Sequence, residues 1–320
     1  MKALVIGGTS FVGRHIVEEL LKKRHQVVLF NRGKSNPHLF PQLNKILGDR
    51  RKDAEKLAGE KWDAVIDTSA YTLADLKPVL ENLTIDQYIF ISTISVYDEF
   101  KKGPVKENGS VFETEVQGDE VIGKTYGPLK VMCERFIEKA IADKALILRP
   151  GIVVGPYDPT DRFTYWVTKL NKKGPVLIPG SRERKVQWID ARDLAEFTVL
   201  QMEKKTKGVC NVAADAVSME TFVQCLSNGE AEIFGADDRL LLEEGLQAFE
   251  LPFWIPVSED FPEGFLLVDN GKAKNAGLAM RPVEQSALDT FKWVHKEGLT
   301  QLKAGVSEER EADLLEKIRK

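Results

Sequence analysis

Two polar side chains four residues apart, Tyr126 and Lys130, sit in the stretch Thr125-Tyr126-Gly127-Pro128-Leu129-Lys130. On a helix this spacing puts them on one face. An ammonium beside a phenol favours the phenolate. A tyrosine that ordinarily titrates at about 10 can then exchange a proton near neutral pH. The chain has six tyrosines and many lysines, so the spacing alone also arises by chance. Its weight comes from a hydroxyl-rich run upstream, Phe90-Ile91-Ser92-Thr93-Ile94-Ser95-Val96-Tyr97. Ligands bind at the carboxyl ends of parallel strands, so Thr93, Tyr126 and Lys130 can converge on one crevice. There Tyr126 would pass a proton to or from a substrate oxygen and Thr93 would fix that oxygen. Lys130 would bond a cofactor ribose while stabilising the phenolate.

Such chemistry needs a hydride carrier, and the N-terminus offers it a seat. Gly7-Gly8-Thr9-Ser10-Phe11-Val12-Gly13 follows an apolar run from Lys2 to Ile6 and opens a helical pattern from Phe11 to Lys23. Gly7 and Gly8 permit a tight turn, and Gly13 permits close helix-to-strand contact. The free N–H groups at the helix start, around Thr9, Phe11 and Val12, can hold a pyrophosphate. Ser10 stands where glycine is usual, and its hydroxyl can bond phosphate or adenine. The second apolar run ends Phe30-Asn31-Arg32-Gly33-Lys34. It lacks the acidic residue that would hold the ribose hydroxyls of NAD. Asn31 can bond a ribose or phosphate oxygen, Arg32 can pair with a 2′-phosphate and stack on adenine, and Lys34 adds charge. NADP(H) is therefore favoured, with NAD(H) as the alternative. Asp49 suits the adenine amino group, and Arg50 belongs to the phosphate environment.

The first 150 residues alternate strand-like and helix-like segments. Strands are expected at Lys2 to Ile6, Gln26 to Phe30, a run ending at Leu47, Trp62 to Ile66, Gln87 to Ile91 and Leu146 to Leu148. Runs this apolar, separated by helices, indicate an α/β fold with a parallel sheet covered on both faces. Right-handed crossovers make it a Rossmann-type doubly wound sheet. After Arg149-Pro150 the rhythm changes. Helices are expected over Phe163 to Lys172, Asp190 to Lys204, from Met219, and over Pro282 to Lys296, with short strands at Val176 to Pro179, Lys185 to Ile189 and Gly208 to Val212. This predicts a dinucleotide-binding domain over 1–155. Residues 156–320 would form mainly a smaller C-terminal substrate-binding lobe, with about 186–215 returning to the first domain. The charged, amphipathic tail from Ser307 reads either as a docked helix or as an exposed appendage.

The 320 residues carry a net charge of -4, a surface that as a whole does not attract nucleic acid. No apolar run is long enough to span a membrane, and the N-terminus reads as a first strand rather than a signal peptide. Three scattered cysteines, with no CxxC, fit a reduced cytoplasmic protein. The four histidines form no metal-ligand cluster, so no metal is expected.

These motifs resemble those of the extended short-chain dehydrogenase/reductase family, the NAD(P)-dependent epimerase/dehydratase group. The resemblance rests on the GxxGxxG turn from Gly7 to Gly13, Thr93 before Val96-Tyr97, and the YxxxK pair Tyr126 and Lys130. It is supported by Leu148-Arg149-Pro150, Val154-Gly155-Pro156 and Arg192-Asp193-Leu194-Ala195. It covers residues 1 to about 200 well. It implies that Pro150, Ile152 and Val153 pack against the nicotinamide and that Thr68, Ser69 and Ala70 lie beside the cofactor. It also implies a homodimer through helices near Leu76 to Leu83 and Leu129 to Ile141. Two departures stand out. The 4,6-dehydratases of the group place Asp-Glu after their Thr, where this chain has Ile94-Ser95. The diphosphate-binding arginine of sugar-nucleotide epimerases matches Val186, leaving Arg182, Arg184 or Lys185 to substitute.

The expected function is hydride transfer by an NAD(P)-dependent oxidoreductase or epimerase on a carbinol or carbonyl, of a nucleotide sugar or related metabolite. The alternative is a non-catalytic dinucleotide sensor or RNA-associated protein on the same fold, as in the chloroplast stem-loop RNA-binding branch. Substrate contacts are expected from Thr93, Tyr97, Tyr157, Arg162, Arg184 and Trp188, with Asp158, Trp166 and Trp254 as further candidates. The polar stretch from Glu99 to Gly118 reads as a lid.

Overall fold

The computed structural model describes residues 1–100 and 103–319. Its centre is a parallel sheet of seven strands: β1 (Lys2–Ile6), β2 (Gln26–Asn31), β3 (Asn44–Leu47), β4 (Ala64–Asp67), β5 (Tyr88–Ile91), β6 (Ala145–Pro150) and β7 (Gly208–Val212). Their spatial order is β7-β6-β5-β4-β1-β2-β3. The order reverses beside β1, and the crevice at such a reversal is where ligands of open α/β sheets bind.

Both faces of the sheet are apolar, as strands made mainly of aliphatic and aromatic residues require. One face packs under α1 (Phe11–Lys22) and α5 (Ala191–Glu203), where Ile16, Val17 and Leu20 meet Leu194, Ala195 and Val199. The other lies under α2 (Leu73–Asn82) and α3 (Gly123–Ile141), which bury Leu76, Val79, Cys133 and Ile137. The inner faces of these last two helices are thus used within the chain.

Two expected strands are broken. The run from Trp62 to Ile66 divides at Asp63, whose carboxylate takes the Lys2 N–H at 2.7 Å. Lys61–Trp62 then pairs with Thr84–Ile85 outside the main sheet. The run from Lys185 to Ile189 divides at Gln187. Its buried amide donates to the carbonyls of Ala214 and Val268 and accepts the Val268 N–H, so Trp188–Asp190 is free to pair in parallel with Ile152–Val154.

The remaining elements build a second core around α4 (Arg162–Leu170), the parallel pair Gly174–Pro179 and Ala231–Ala236, and the helices Met219–Leu226 and Val283–Glu297. The terminal helix Glu308–Ile318 is docked, because Leu314 and Leu315 enter that core and Glu311 pairs with Lys169 at 2.5 Å. Among the described residues no helix is long and apolar enough to cross a membrane.

Candidate active site

A cleft of about 640 Å³ runs along the carboxyl ends of β1, β2 and β4. Of the expected cofactor residues it is lined by Gly7, Thr9, Ser10, Phe11, Val12, Gly13, Asn31, Arg32, Asp49, Arg50, Thr68 and Ser69. Gly7 and Gly8 both take positive φ, 104° and 83°. A Cβ on Gly13 would lie 2.7 Å from the Gly8 nitrogen, and one on Gly7 would lie 2.4 Å from Thr68 Oγ1. The turn is therefore as tight as only glycine allows. Ser10 occupies the N-cap of α1 without making a side-chain cap, so the first amides of that helix remain open to an anion. Arg32 and Lys34 are exposed and, among the described residues, form no ion pair. These features fit a phosphate-bearing dinucleotide.

Several expected contacts are committed elsewhere. Asn31 spends its amide on the turn itself, donating to Gly7 O (3.2 Å) and accepting from Gly33 N (2.9 Å). Arg50, expected beside phosphate, borders the cleft but is tied to the buried Asp67. Its Nη1 and Nη2 reach the two carboxylate oxygens at 2.9 and 2.5 Å, and its Nε donates to Asp75 O. Tyr88 Oη and the N–H groups of Ser69 and Ala70 complete the carboxylate's shell. Arg50 and Tyr88 hold the Asp67 carboxyl below its ordinary range against the opposing effect of burial. Ala70, Pro150 and Val153 do not line the cleft. Ala70 instead offers its carbonyl to Lys130, Pro150 ends a buried strand, and Val153 packs against the core under α1. Tyr71, Arg51 and Pro159 do line it. Tyr71 directly follows the Asp67-to-Ala70 segment and was within reach of the sequence argument. Arg51 and Pro159 carried no signal there.

Beyond Tyr71 lies the proposed chemistry. The Tyr71 and Tyr126 rings stand 6.2 Å apart. Thr93 caps a 3-10 turn over Ile94–Val96, and a Cβ on Gly127 would lie 2.1 Å from Ser95 O. That glycine, next to Tyr126, lets α3 lie against the turn, and Thr93 favours the Tyr126 phenolate. Lys130 shares the helix face with Tyr126 but bonds the main chain. Its ammonium donates to Ala70 O at 2.9 Å and Ile91 O at 2.8 Å, over the Phe90 ring. Burial pushes the Tyr126 phenol up, partly offset by Thr93 and by the Arg162 charge. Burial brings Lys130, 3% exposed, down to about 8. The expectation was that Lys130 favours the phenolate; the groups that offset burial here are Thr93 and Arg162.

Behind α3, Arg149 grips Glu134 through Nε and Nη2, the latter at 2.6 Å, and Ser92 Oγ donates to the same carboxylate. Tyr97 belongs to this network. It is 2% exposed, donates to Asn211 Oδ1 at 2.7 Å and accepts from Arg149 Nη1 at 3.0 Å. It is a core residue, not a substrate contact. The same correction applies to Trp188, 4% exposed among Phe163, Phe222 and Phe253. Trp166 and Trp254 are also core, their indole N–H groups bonded to Pro252 O and Asp238. Aromatic residues of core and of pocket look alike in a sequence. Tyr157 sits beneath the Arg14 guanidinium, 3.5 Å away, and against Trp293, where it ties its loop to α1 rather than facing a pocket. The lid reading fails over residues 105–111. Val105 pairs with Val268, Val111 with Tyr97, and Glu107 accepts the Asn211 N–H, so this stretch is bonded down. Lys101 and Lys102 lie outside the described residues.

Arg162, Arg184 and Ile152 do share a pocket, a small one of about 40 Å³ walled by Phe249, Phe253 and Phe265. Arg184 is 8% exposed, and its Nη1 has no hydrogen-bond partner, with Asp238 at 3.6 Å. Asp158 is buried nearby in sequence and is held by Thr160. Among the described residues no group of three or more acidic, histidine or cysteine side chains is placed to hold a metal.

A parallel sheet of this order, with a glycine turn after its first strand, Thr93 after the fifth and the phenol on the helix that follows, defines a nucleotide-binding protein of the extended short-chain dehydrogenase/reductase type. A model of the NAD dependent epimerase/dehydratase family matches residues 3–77 and 63–213, and the chain belongs to that family. It is 29% identical over 238 residues to the chloroplast stem-loop binding protein of 41 kDa b of Arabidopsis thaliana, covering 67% of this chain and 59% of that one. It is 30% identical over 161 residues to 2'-dehydrokanamycin reductase of Streptomyces kanamyceticus, covering 48% and 43%. The chain thus spans about half the length of these relatives. In fold it is similar to UDP-glucose 4-epimerase of Thermotoga maritima, with a TM-score of 0.68 at 19% identity, covering 93% of this chain and all of that one. It is likewise similar to UDP-N-acetylglucosamine 4-epimerase of Methanobrevibacter ruminantium, with a TM-score of 0.67 at 21% identity, covering 92% and 98%.

Proposed function

We propose that this protein is an NADP(H)-dependent oxidoreductase or epimerase acting on a carbinol or carbonyl of an anionic metabolite, a nucleotide sugar or a relative of one. The observation that carries the reading is a dinucleotide-shaped cleft whose lining residue Tyr71 stands 6.2 Å, ring to ring, from Tyr126. The turn amides of Gly7 to Gly13 would hold the pyrophosphate, and Arg32 with Lys34 the 2′-phosphate. Lys130 has spent two of its three N–H donors and keeps one for a ribose hydroxyl. A bound nicotinamide would supply or accept the hydride.

The protein's own part is the proton. In the reducing direction Thr93 orients the substrate oxygen, the Tyr126 O–H bond breaks, and the proton forms the new carbinol O–H. In the oxidising direction the phenolate takes it back. Epimerisation needs both directions in turn on one retained cofactor. Arg184, with its bare Nη1, would take the substrate's phosphate or carboxylate. Ile94 and Ser95 supply no carboxyl acid, so 4,6-dehydration is not part of the reading. A cytoplasmic homodimer is part of it.

Cofactor fluorescence titrations with NADPH and NADH, then turnover on nucleotide sugars and small carbonyl compounds, test this directly. NADPH should bind tighter. Tyr126→Phe should cut turnover by roughly 10²-fold or more with NADPH affinity kept. Turnover untouched by Tyr126→Phe would refute the assignment, and tighter NADH binding would refute the role of Arg32. The resemblance to the stem-loop binding protein favours a second reading, RNA association. Tight, salt-sensitive retention of a stem-loop RNA by a chain without turnover would establish that reading instead.

A further inference from the structure

With a pyrophosphate on the turn amides after β1 and a 2′-phosphate on Arg32 after β2, the nicotinamide half of the dinucleotide would extend to the β4 side of the cleft. Thr68, Ser69 and Tyr71 line that side. Tyr71 is 43% exposed there. An aromatic ring usually spends its area on a core or an interface, and two other aromatic residues of the cleft do so. Phe30 is core, and Phe11 stands edge-on to His15 at the head of α1. The Tyr71 ring is left open on the cleft wall.

Its backbone, by contrast, is fixed. The N–H groups of Tyr71 and Thr72 both donate to Asp75 Oδ2 at 3.1 Å, and the Thr72 hydroxyl caps α2. One residue upstream, the Ala70 N–H donates to Asp67 and its carbonyl accepts Lys130 Nζ. The ring thus projects from a rigid turn. The Tyr126 ring lies 6.2 Å away at 44°, and the Lys130 ammonium lies over the Tyr71 ring, 5.4 Å from its centroid. Tyr71 therefore joins the cofactor cleft to the residues of proton transfer.

We infer that Tyr71 faces the nicotinamide and sets the redox preference of the site, its π-face holding the cationic, oxidised ring more tightly than the neutral, reduced one. This role presupposes the NADP(H) reading. A nicotinamide is a cation once it has given up its hydride and neutral while it holds one. The negative face of an aromatic ring attracts the first and not the second. The nearby Lys130 charge would by itself penalise a second cation, and the Tyr71 ring offsets that penalty. A tighter hold on the oxidised form makes the bound reduced form the better hydride donor, since a site shifts an equilibrium by its differential affinity.

Calorimetric titration of the full chain with NADP+, NADPH and 2′-phospho-ADP-ribose, which lacks the nicotinamide, tests this without turnover. Tyr71→Leu should weaken NADP+ by about fivefold, with NADPH and 2′-phospho-ADP-ribose held near wild-type affinity. Tyr71→Gln should do the same and replaces the leucine variant if that does not fold. Tyr71→Phe keeps the ring and should keep the preference. A wall that only packs would lose NADP+ and NADPH equally, so an equal loss in the non-aromatic variants overturns the inference. So does a preference unmoved in them, or one lost in Tyr71→Phe. Failure of the functional reading looks different: a wild-type chain that binds neither NADP+ nor NADPH, or binds NADH more tightly.

Discussion

Replacing Asp67 by asparagine removes one charge from a side chain that is fully buried at the end of β4. Its two oxygens accept five hydrogen bonds: Arg50 Nη1 at 2.9 Å and Nη2 at 2.5 Å, Tyr88 Oη at 2.6 Å, and the N–H groups of Ser69 and Ala70 at 3.0 and 3.1 Å. An asparagine keeps one acceptor oxygen and turns an NH2 toward donors. The Arg50 guanidinium is then left buried without its counter-charge, which costs about 3–5 kcal/mol. With an m value of about 3 kcal/mol/M, the middle of that range is a urea midpoint lowered by about 1.3 M. Tryptophan fluorescence follows it, since Trp62 is buried beside the same sheet.

The sign with pH is also fixed. The folded value of Asp67 is depressed, so its stabilisation is present above the ordinary carboxylate range and is lost as pH falls through the folded value. Asp67→Asn should therefore narrow its deficit in acid. Replacing the whole set by apolar groups, as Arg50→Met, Asp67→Leu and Tyr88→Phe together, should recover at least half of the loss. A deficit under about 1 kcal/mol for Asp67→Asn, or a triple variant weaker than the single one, would refute the reasoning.

Two further outcomes are expected. Gly13→Ala puts a methyl 2.7 Å from the Gly8 nitrogen and should abolish NADPH fluorescence enhancement while far-ultraviolet circular dichroism is unchanged; retained binding would mean the turn is not the pyrophosphate seat. Because Lys130 is depressed to about 8 on folding, the unfolded chain binds more protons above that value. Stability of the wild type relative to Lys130→Met should therefore rise from pH 8 toward the unfolded lysine range, and urea midpoints that stay parallel across that window would contradict its burial as a free amine.

Much of the fold was legible because its signals are local. The strands that form the sheet's centre are apolar over most of their length, and the glycine turn lies between a strand and a helix in one continuous segment. The breaks at Asp63 and Gln187 were not, since each depends on a backbone group brought from elsewhere, Lys2 in one case and Val268 in the other. The same distinction runs through the site. Tyr126 and Thr93 follow from a spacing and a strand end. The direction of Lys130 depends on the carbonyls of Ala70 and Ile91, which only the assembled sheet presents together. Tyr97 follows Thr93 closely in the sequence, but its burial depends on Asn211, 114 residues away.

The outermost strand on one side of the sheet, β7, comes after α4, α5 and the pocket strands. A nascent chain that has emerged only to residue 200 holds β6, mostly apolar and wholly buried in the finished protein, as an open edge. Such an edge templates association with other chains. Synthesis delivers this closing strand after α4 and α5 but before Met219–Leu226, Ala231–Ala236 and Val283–Glu297, so the nucleotide sheet is expected to close before its partner core is complete. Truncations near residue 200, which keep every residue of the glycine turn and the Tyr126 site, should aggregate rather than yield a small working enzyme.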